Sequence, residues 1–198
     1  MTLTAAVDRE ELEHLRSRYG DFPLDRVVLD VSPDFFEEGR RPVKKGRRAE
    51  VLLVVEGPDG RVLVHTKRFY PTGTFRLLSG GIHEGEPVEV ALARELQEET
   101  GVQATDHCLI GVLAYDIRCG DEAVPFASYV YRVHIPTTEV HVQDEEEQIG
   151  ELRWIPFSEL PSIRDKLLRV PKEWQDWGRF RALGHEFVLR YQERCKEA

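Results

Sequence analysis

The chain predicts an α/β fold that closes on a long helix, and three observations point to it. Residues 50–55 and 61–65 are apolar runs joined by the turn cluster Gly57-Pro58-Asp59-Gly60, which spells a hairpin. Between Pro87 and Gly101, Val88, Leu92 and Leu96 recur every four positions, the stripe of an amphipathic helix. From residue 174 to 195, Trp177, Phe180, Leu183, Phe187 and Tyr191 recur at three- or four-residue spacing and give the long C-terminal helix. This aromatic stripe is expected to be core rather than a ligand box.

In chain order, residues 8–18, with Leu12 and Leu15 at helical spacing, predict a short helix that Gly20 stops and that lies peripheral to the core. Residues 26–31 follow as a strand. Pro33 and Gly39 then mark a connector leading into the basic run Arg40, Arg41, Lys44, Lys45, Arg47 and Arg48. The run is expected to be solvated, with a substrate-facing role as the alternative. After the hairpin, Pro71 and Gly73 break the chain before a short strand over 75–78 that enters Ser79-Gly80-Gly81. Pro87 suits a first helical position and Gly101 the position just past a helix end. Residues 109–115 and 126–135 predict two strands joined by a polar loop over 116–125, and 151–155 a further strand. Pro156 and Pro161 bracket a short turn or helix.

With 198 residues and 41% hydrophobic content, one domain spanning residues 1–198 is expected. No apolar run approaches the ~20 residues of a membrane span, and charge begins at Asp8, so a cytoplasmic protein is expected. Cys108, Cys119 and Cys195 are odd in number and widely separated, which predicts free thiols. A net charge of −9 argues against a general nucleic-acid binder.

Residues 80–102 read GGIHEGEPVEVALARELQEETGV. On a helix, Glu95, Glu98 and Glu99 fall within roughly a 100° arc of one face, away from the apolar stripe. Left bare, such carboxylates raise one another's pKa and weaken the helix, whereas a hard, oxygen-preferring divalent cation turns the repulsion into binding. The pattern predicts a magnesium site.

Written as spacing, the segment is Gly80, five residues, Glu86, seven residues, Arg94-Glu95-Leu96, one residue, Glu98-Glu99, one residue and Gly101-Val102. At ordinary residue frequencies such a match arises by chance with a probability below about one in a million. The chain resembles the Nudix hydrolase superfamily in this box, and in its order of elements over residues 48–160. The resemblance implies an α/β/α sandwich on a mixed sheet, with 1–47 as an N-terminal extension and 161–198 as a C-terminal helical segment. It also implies hydrolysis of the pyrophosphate bond in a nucleoside diphosphate linked to another moiety, with Mg2+ as cofactor and Mn2+ as the alternative. By the same resemblance Glu95, Glu98 and Glu99 are metal ligands, Glu98 or Glu95 also serves as base, and the backbone carbonyl at Ser79 or Gly80 adds a ligand. Glu86, Arg94 and Gly101 are structural, with Arg94 placed one turn before Glu98 to orient it. A further glutamate after the box is expected in Asp144-Glu145-Glu146-Glu147, with Glu147 the first choice and Glu146 the second; an exposed acidic loop is the equal alternative.

Lys67-Arg68-Phe69-Tyr70-Pro71 resembles the strand end of the ADP-ribose and ADP-sugar subgroup, so Arg68, with Lys67, is expected to grip a phosphate or ribose. The chain departs from that subgroup at Thr66, where glutamine is common, and from the family at Ser79, where proline is common. The expected partner is a small nucleotide, with ADP-ribose or an ADP-sugar favoured and no membrane. Nucleoside triphosphates or a capped RNA end, motivated by the basic run, form the alternative, and a non-catalytic nucleotide sensor is the reading from another class. Relatives of the ADP-sugar type pair through N-terminal strands, which makes 26–31 the candidate strand of a homodimer.

Overall fold

The structure, a computed structural model, describes residues 7–143 and 148–195. Among them, seven strands form one mixed sheet: β1 (Leu24–Asp30), β2 (Arg47–Glu56), β3 (Val62–Lys67), β4 (Arg76–His83), β5 (Asp106–Cys119), β6 (Glu122–His134) and β7 (Ile149–Ile155), in the order β1-β5-β6-β2-β4-β3-β7. β1 runs parallel to β5 and β2 parallel to β6, and the other pairings are antiparallel. The helices are α1 (Arg9–Tyr19), α2 (Pro33–Lys44), α3 (Val88–Thr100), α4 (Leu160–Leu167) and α5 (Gln175–Tyr191).

β2 is almost wholly apolar because it lies inside the sheet with both faces covered. Val51, Leu53 and Val55 enter one apolar cluster with Leu12, Leu15, Leu92 and Leu96, from α1 and α3. Leu52 and Val54 enter the other, with Phe36, Leu160, Ile163 and Phe187 from α2, α4 and α5. Two helical layers thus sandwich the sheet, as the resemblance implied.

Five expectations change. The 50–65 hairpin closes at its turn, where Gly57 N–H donates to the Arg61 carbonyl at 2.9 Å, but only Glu56 and Val62 pair; β4 inserts between the two strands and takes the remaining hydrogen bonds. The connector after β1 is helix α2, whose N-terminus the Ser32 side chain caps and whose first turn accepts Pro33. The polar stretch 116–125 is not a loop: β5 and β6 run on to Cys119 and Glu122 around Gly120-Asp121, because β1 supports β5 from its other side up to Arg118. α1 is not peripheral, since Leu12 and Leu15 are each 1% exposed. Finally, Cys108 on β5 and Cys195 just beyond α5 form a disulfide with Cα atoms 6.0 Å apart, leaving Cys119 as the free cysteine among the described residues. Their separation of 87 residues hid a proximity that only the packing of the C-terminal segment on β5 creates. No described helix is long and apolar enough to cross a membrane.

Candidate active site

α3 carries the acidic cluster and ends as expected: Gly101 adopts φ 72°, and its N–H donates to the Gln97 carbonyl at 2.8 Å. Val88, Leu92 and Leu96 are buried. Glu95 and Glu99 are buried as well, at 5% and 0% exposure, and only Glu98 reaches solvent. The expected separation of carboxylates from core is therefore wrong for two of the three. Residues 95 and 99 neighbour 92 and 96 around the helix, so an apolar stripe pressed on the sheet carries its flank inward too.

Gly80 on β4 makes this burial feasible. A Cβ built there would lie 1.7 Å from the Glu95 carboxyl carbon, so the Gly80 main chain and that carboxylate are direct neighbours. The requirement for glycine is steric.

Arg94 binds the cluster together. Its Nη1 donates to Glu95 Oε1 at 2.7 Å and to Glu98 Oε2 at 3.1 Å. Its Nε and Nη2 grip the two Glu86 oxygens at 2.9 and 3.0 Å, and Nη2 also donates to the Gly81 carbonyl at 2.7 Å. Glu86 in turn accepts from the His83 N–H at 3.0 Å, which pins the loop entering the helix. The Arg94 hydrogen bond holds the Glu86 carboxyl below the usual range, and Glu86 first, then Glu95, raise the guanidinium. Among the described residues no three His, Cys, Asp or Glu side chains are grouped as the ligands of one metal ion; Glu86, Glu95 and Glu98 converge on Arg94 instead.

Beside Gly80 and Gly81 opens a cleft of about 430 Å³. Lys67, Arg47, Arg76 and Arg181 supply four cationic side chains to its lining, and Phe69, Tyr70, Trp174 and Trp177 an aromatic wall. Beneath it, Glu50 is 2% exposed and accepts from Arg181 at 3.0 and 3.2 Å, Arg47 at 3.3 Å and the Ser128 hydroxyl at 2.8 Å. Burial pushes the Glu50 carboxyl up, but Arg181 and Arg47 outweigh it and hold it below the usual range. The Ser79 hydroxyl accepts from Arg76 at 2.9 Å and from Arg181 at 3.1 Å, contacts that a proline at this position could not make. Arg76 also donates to the Tyr70 hydroxyl at 3.0 Å.

Of the residues expected from the sequence, Ser79, Gly80 and Lys67 line the cleft. Arg68 is exposed and outside the lining, its N–H bonded to the Gln148 carbonyl. Glu146 and Glu147, with Asp144 and Glu145, lie outside the described residues. The basic run divides: Arg47 faces the cleft, Arg48 is paired with Glu11, and Arg40 with Glu37 and Glu122. Trp177, assigned above to core, is half-buried in the cleft wall beside Trp174. Arg76 and Arg181 each stand between apolar neighbours on a strand and a helix, where nothing in the local pattern sets them apart from the chain's other arginines.

The NUDIX domain family matches residues 46–177. The chain belongs to this family. It is 28% identical over 144 residues to the NAD-capped RNA hydrolase NUDT12 of Macaca fascicularis, covering 70% of this chain and 28% of the relative. It is 29% identical over 114 residues to the NAD-capped RNA hydrolase NudC of Pseudomonas aeruginosa (strain LESB58), covering 57% and 37%. An RNA pyrophosphohydrolase of Caulobacter vibrioides (strain NA1000 / CB15N) is 45% identical over 60 residues, covering 30% and 35%. The Nudix chain thus spans about a third of the length of the curated relatives it matches. Among solved structures, the MutT NUDIX hydrolase from Burkholderia pseudomallei is similar with a TM-score of 0.46 at 25% identity, covering 56% of this chain and 83% of that one.

Proposed function

We propose that this Nudix chain is a pyrophosphohydrolase that cleaves the pyrophosphate bond of a nucleoside diphosphate linked to another moiety. The observation that carries the reading is the cationic cleft opening on Gly80 and Gly81, against which the Glu95 carboxylate packs. A pyrophosphate bridge is shielded from nucleophiles by its own charge, so cleavage needs cations along the bridge and an acidified water. Arg47, Arg76, Arg181 and Lys67 supply the first in a protein whose net charge is −9. The second is a metal's work, and Nudix hydrolases generally use a divalent metal.

The donors fit such an ion in kind: Glu95, Glu98 and Glu99 offer hard oxygens, beside the main chain of Ser79 and Gly80. We assign them to Mg2+, with Mn2+ as the substitute; bound there, the ion would lower the pKa of an attacking water and offset charge on the bridge. Arg94 holds Glu95 and Glu98 in place. Glu98, the most exposed of the three, takes the role of base. Lys67 replaces Arg68 as the substrate-gripping residue, because it alone of the two borders the cleft. A homodimer would form at the outer edge of β1, the terminal strand of the sheet.

ADP-ribose or an ADP-sugar is the substrate favoured by the Lys67-Arg68 segment. The names of the similar NUDT12 and NudC proteins favour a second reading, in which the diphosphate belongs to a capped RNA end. Incubation with magnesium and a panel of ADP-ribose, NAD, NAD-capped RNA and nucleoside triphosphates, with products identified by mass, separates them. AMP from ADP-ribose, abolished in Glu98→Gln, supports the first; decapping in preference to free nucleotides supports the second. Nucleotide binding without any product overturns both in favour of a sensor.

A further inference from the structure

Two neighbouring arginines on β2 face opposite ways, and an irregularity in the strand is the reason. Side chains alternate along a regular strand, so Arg47 would share the face of Ala49, Val51 and Leu53 toward α1 and α3, and Arg48 that of Leu52 and Val54. The structure reverses both. β2 pairs Arg47 with His83 and Ala49 with Ile82 on β4, which leaves Arg48 as an extra residue without a counterpart, a bulge. Arg47 thereby reaches Glu50 and the cleft, and Arg48 reaches Glu11 on α1.

Arg48 and Glu11 meet fork to fork: Nη1 donates to Oε2 at 3.0 Å and Nη2 to Oε1 at 2.6 Å. Nη2 also donates to the Glu86 carbonyl at 2.9 Å, in the turn that enters α3. The Tyr129 hydroxyl holds Glu11 from the sheet. α1 grips α3 a second time at Glu89, to which Arg18 donates at 3.1 Å and the Tyr19 hydroxyl donates on the other oxygen. This outside support has a cause, since Pro87 at the N-cap of α3 offers no side-chain acceptor to the first N–H groups. The support extends to the acidic cluster. Glu86 presents its carbonyl to Arg48 and its carboxylate to Arg94, whose Nη1 binds Glu95 and Glu98. Two arginines in series therefore join α1 to those carboxylates.

We propose that Arg48, with Glu11 as its anchor, is a positioning residue for the metal ligands of α3. It fixes the Glu86 main chain, so that Glu86 holds Arg94, and Arg94 the carboxylates, in one arrangement. The proposal rests on the assignment of Glu95, Glu98 and Glu99 to a divalent ion. Without Arg48 the turn would keep its place in the fold, because the Glu84 N–H bonds the Gly46 carbonyl at 2.7 Å and the Glu86 N–H the His83 carbonyl at 3.1 Å. What it would lose is the restraint on the Glu86 carbonyl, next to the carboxylate that sets Arg94. The anchor comes from outside the family match: α1 precedes residues 46–177. The charge of Arg48 makes the role testable by sign. Removing a positive charge near a cation site tightens cation binding by electrostatics alone, whereas loss of ligand position weakens it.

Mn2+ alone is the probe, titrated into the full chain without nucleotide and followed by the paramagnetic resonance of the free ion. Native protein should bind it with an affinity that Glu98→Gln weakens. Arg48→Met and Arg48→Lys should each weaken it roughly tenfold, the lower end of the effect of losing an outer partner of metal ligands. Lysine keeps the charge but cannot meet both Glu11 oxygens and the Glu86 carbonyl at once, so this variant decides the matter even where Arg48→Met fails to fold. Ile163→Ala is the control for stability. It opens a cavity on the opposite face of the sheet, should lower the melting temperature, and should leave Mn2+ affinity within about twofold. Unchanged or tighter binding in Arg48→Lys, or equal weakening in Ile163→Ala, overturns the inference and leaves the metal assignment standing. Native protein that binds no Mn2+, or binds it equally in Glu98→Gln, overturns both. Turnover with magnesium is read separately: Mn2+ weakened in the Arg48 variants, without hydrolysis by the native protein, supports the positioning role and sinks the hydrolase reading.

Discussion

Arg94 and Glu50 are the two residues on which the site's geometry turns, and they do so by different physics. Arg94 uses its planar fork to hold Glu86, Glu95, Glu98 and the Gly81 carbonyl at once, a set of directions that the point charge of lysine cannot reproduce. Arg94→Lys should therefore lower kcat by roughly 10- to 100-fold, the usual effect of losing a partner that orients metal ligands. Steady-state kinetics beside a thermal melt decides this, and a variant with native kcat would show that the carboxylates orient themselves. Glu50 is the only anion in contact with both Arg47 and Arg181 among the described ion pairs. Glu50→Gln would leave two partly buried guanidinium groups without their shared anion, and should destabilise by about 2 kcal/mol or more in urea unfolding. Ser128→Ala removes one neutral donor to the same carboxylate and should cost about 1 kcal/mol. Equal costs for the two would mean that the arginines find other anions. The acidic half of this site could be read from sequence because its residues share a single turn of helix. The cationic half could not: Arg47, Arg76 and Arg181 come from three separate elements, and only the sheet and α5 bring them together.

At the scale of elements, legibility followed local periodicity. α3 and α5 carry their own stripes, so both were evident, and α5 ends only four residues before the expected limit, where the chain tightens through Gln192–Cys195. α2 was missed because Pro33, Gly39 and Pro42 look like breakers. Pro33 sits where a helix lacks a donor requirement, and Phe36, packed against the sheet, compensates for the rest. β4 was read too short and β2 paired with the wrong neighbour, since nothing in a turn sequence announces that a later strand will insert. α1 is the sharpest case, because two leucines on a charged helix look peripheral until the face they cover is known. Glu11 ties the same helix to Arg48 and to the Tyr129 hydroxyl. Leu12→Ala should consequently cost about 2–5 kcal/mol, as for other fully buried leucines, rather than the few tenths of a surface site. A shift in urea midpoint reads this directly; a change below about 0.5 kcal/mol would return α1 to the periphery.

Across the whole molecule, acid stability is governed by two histidines that neither the site nor the surface uses. His185 on α5 accepts from the Leu77 N–H at 3.2 Å and contacts the Arg181 carbonyl through Nδ1 at 2.9 Å, so its neutral form joins α5 to β4. Burial first, then Arg76 and Arg181, bring its pKa down to about 4, while hydrogen bonding to Arg181 opposes them. His65 on β3 is fully buried, and burial followed by Arg76, Lys67 and Arg181 takes it well below the ordinary value. For both groups the unfolded chain binds a proton near pH 6.5 and the folded chain does not until lower pH, so stability is fully present above about 6.5 and falls as pH drops below it. Each contributes about 1.4 kcal/mol per pH unit within its window. For His185 alone that amounts to about 2 kcal/mol between pH 6.5 and 5, with His65 acting in the same direction. The buried Glu50 carboxyl, held low by its arginines, adds its loss only below the ordinary carboxylate range, so the two windows follow one another instead of overlapping. Urea unfolding at pH 7 and pH 5 should thus differ by about 2–4 kcal/mol, with much of the difference missing in His185→Gln, which cannot titrate. Identical unfolding free energies at the two pH values would mean that both rings are protonated or solvated in the folded protein, and the junction between α5 and β4 would then need another explanation.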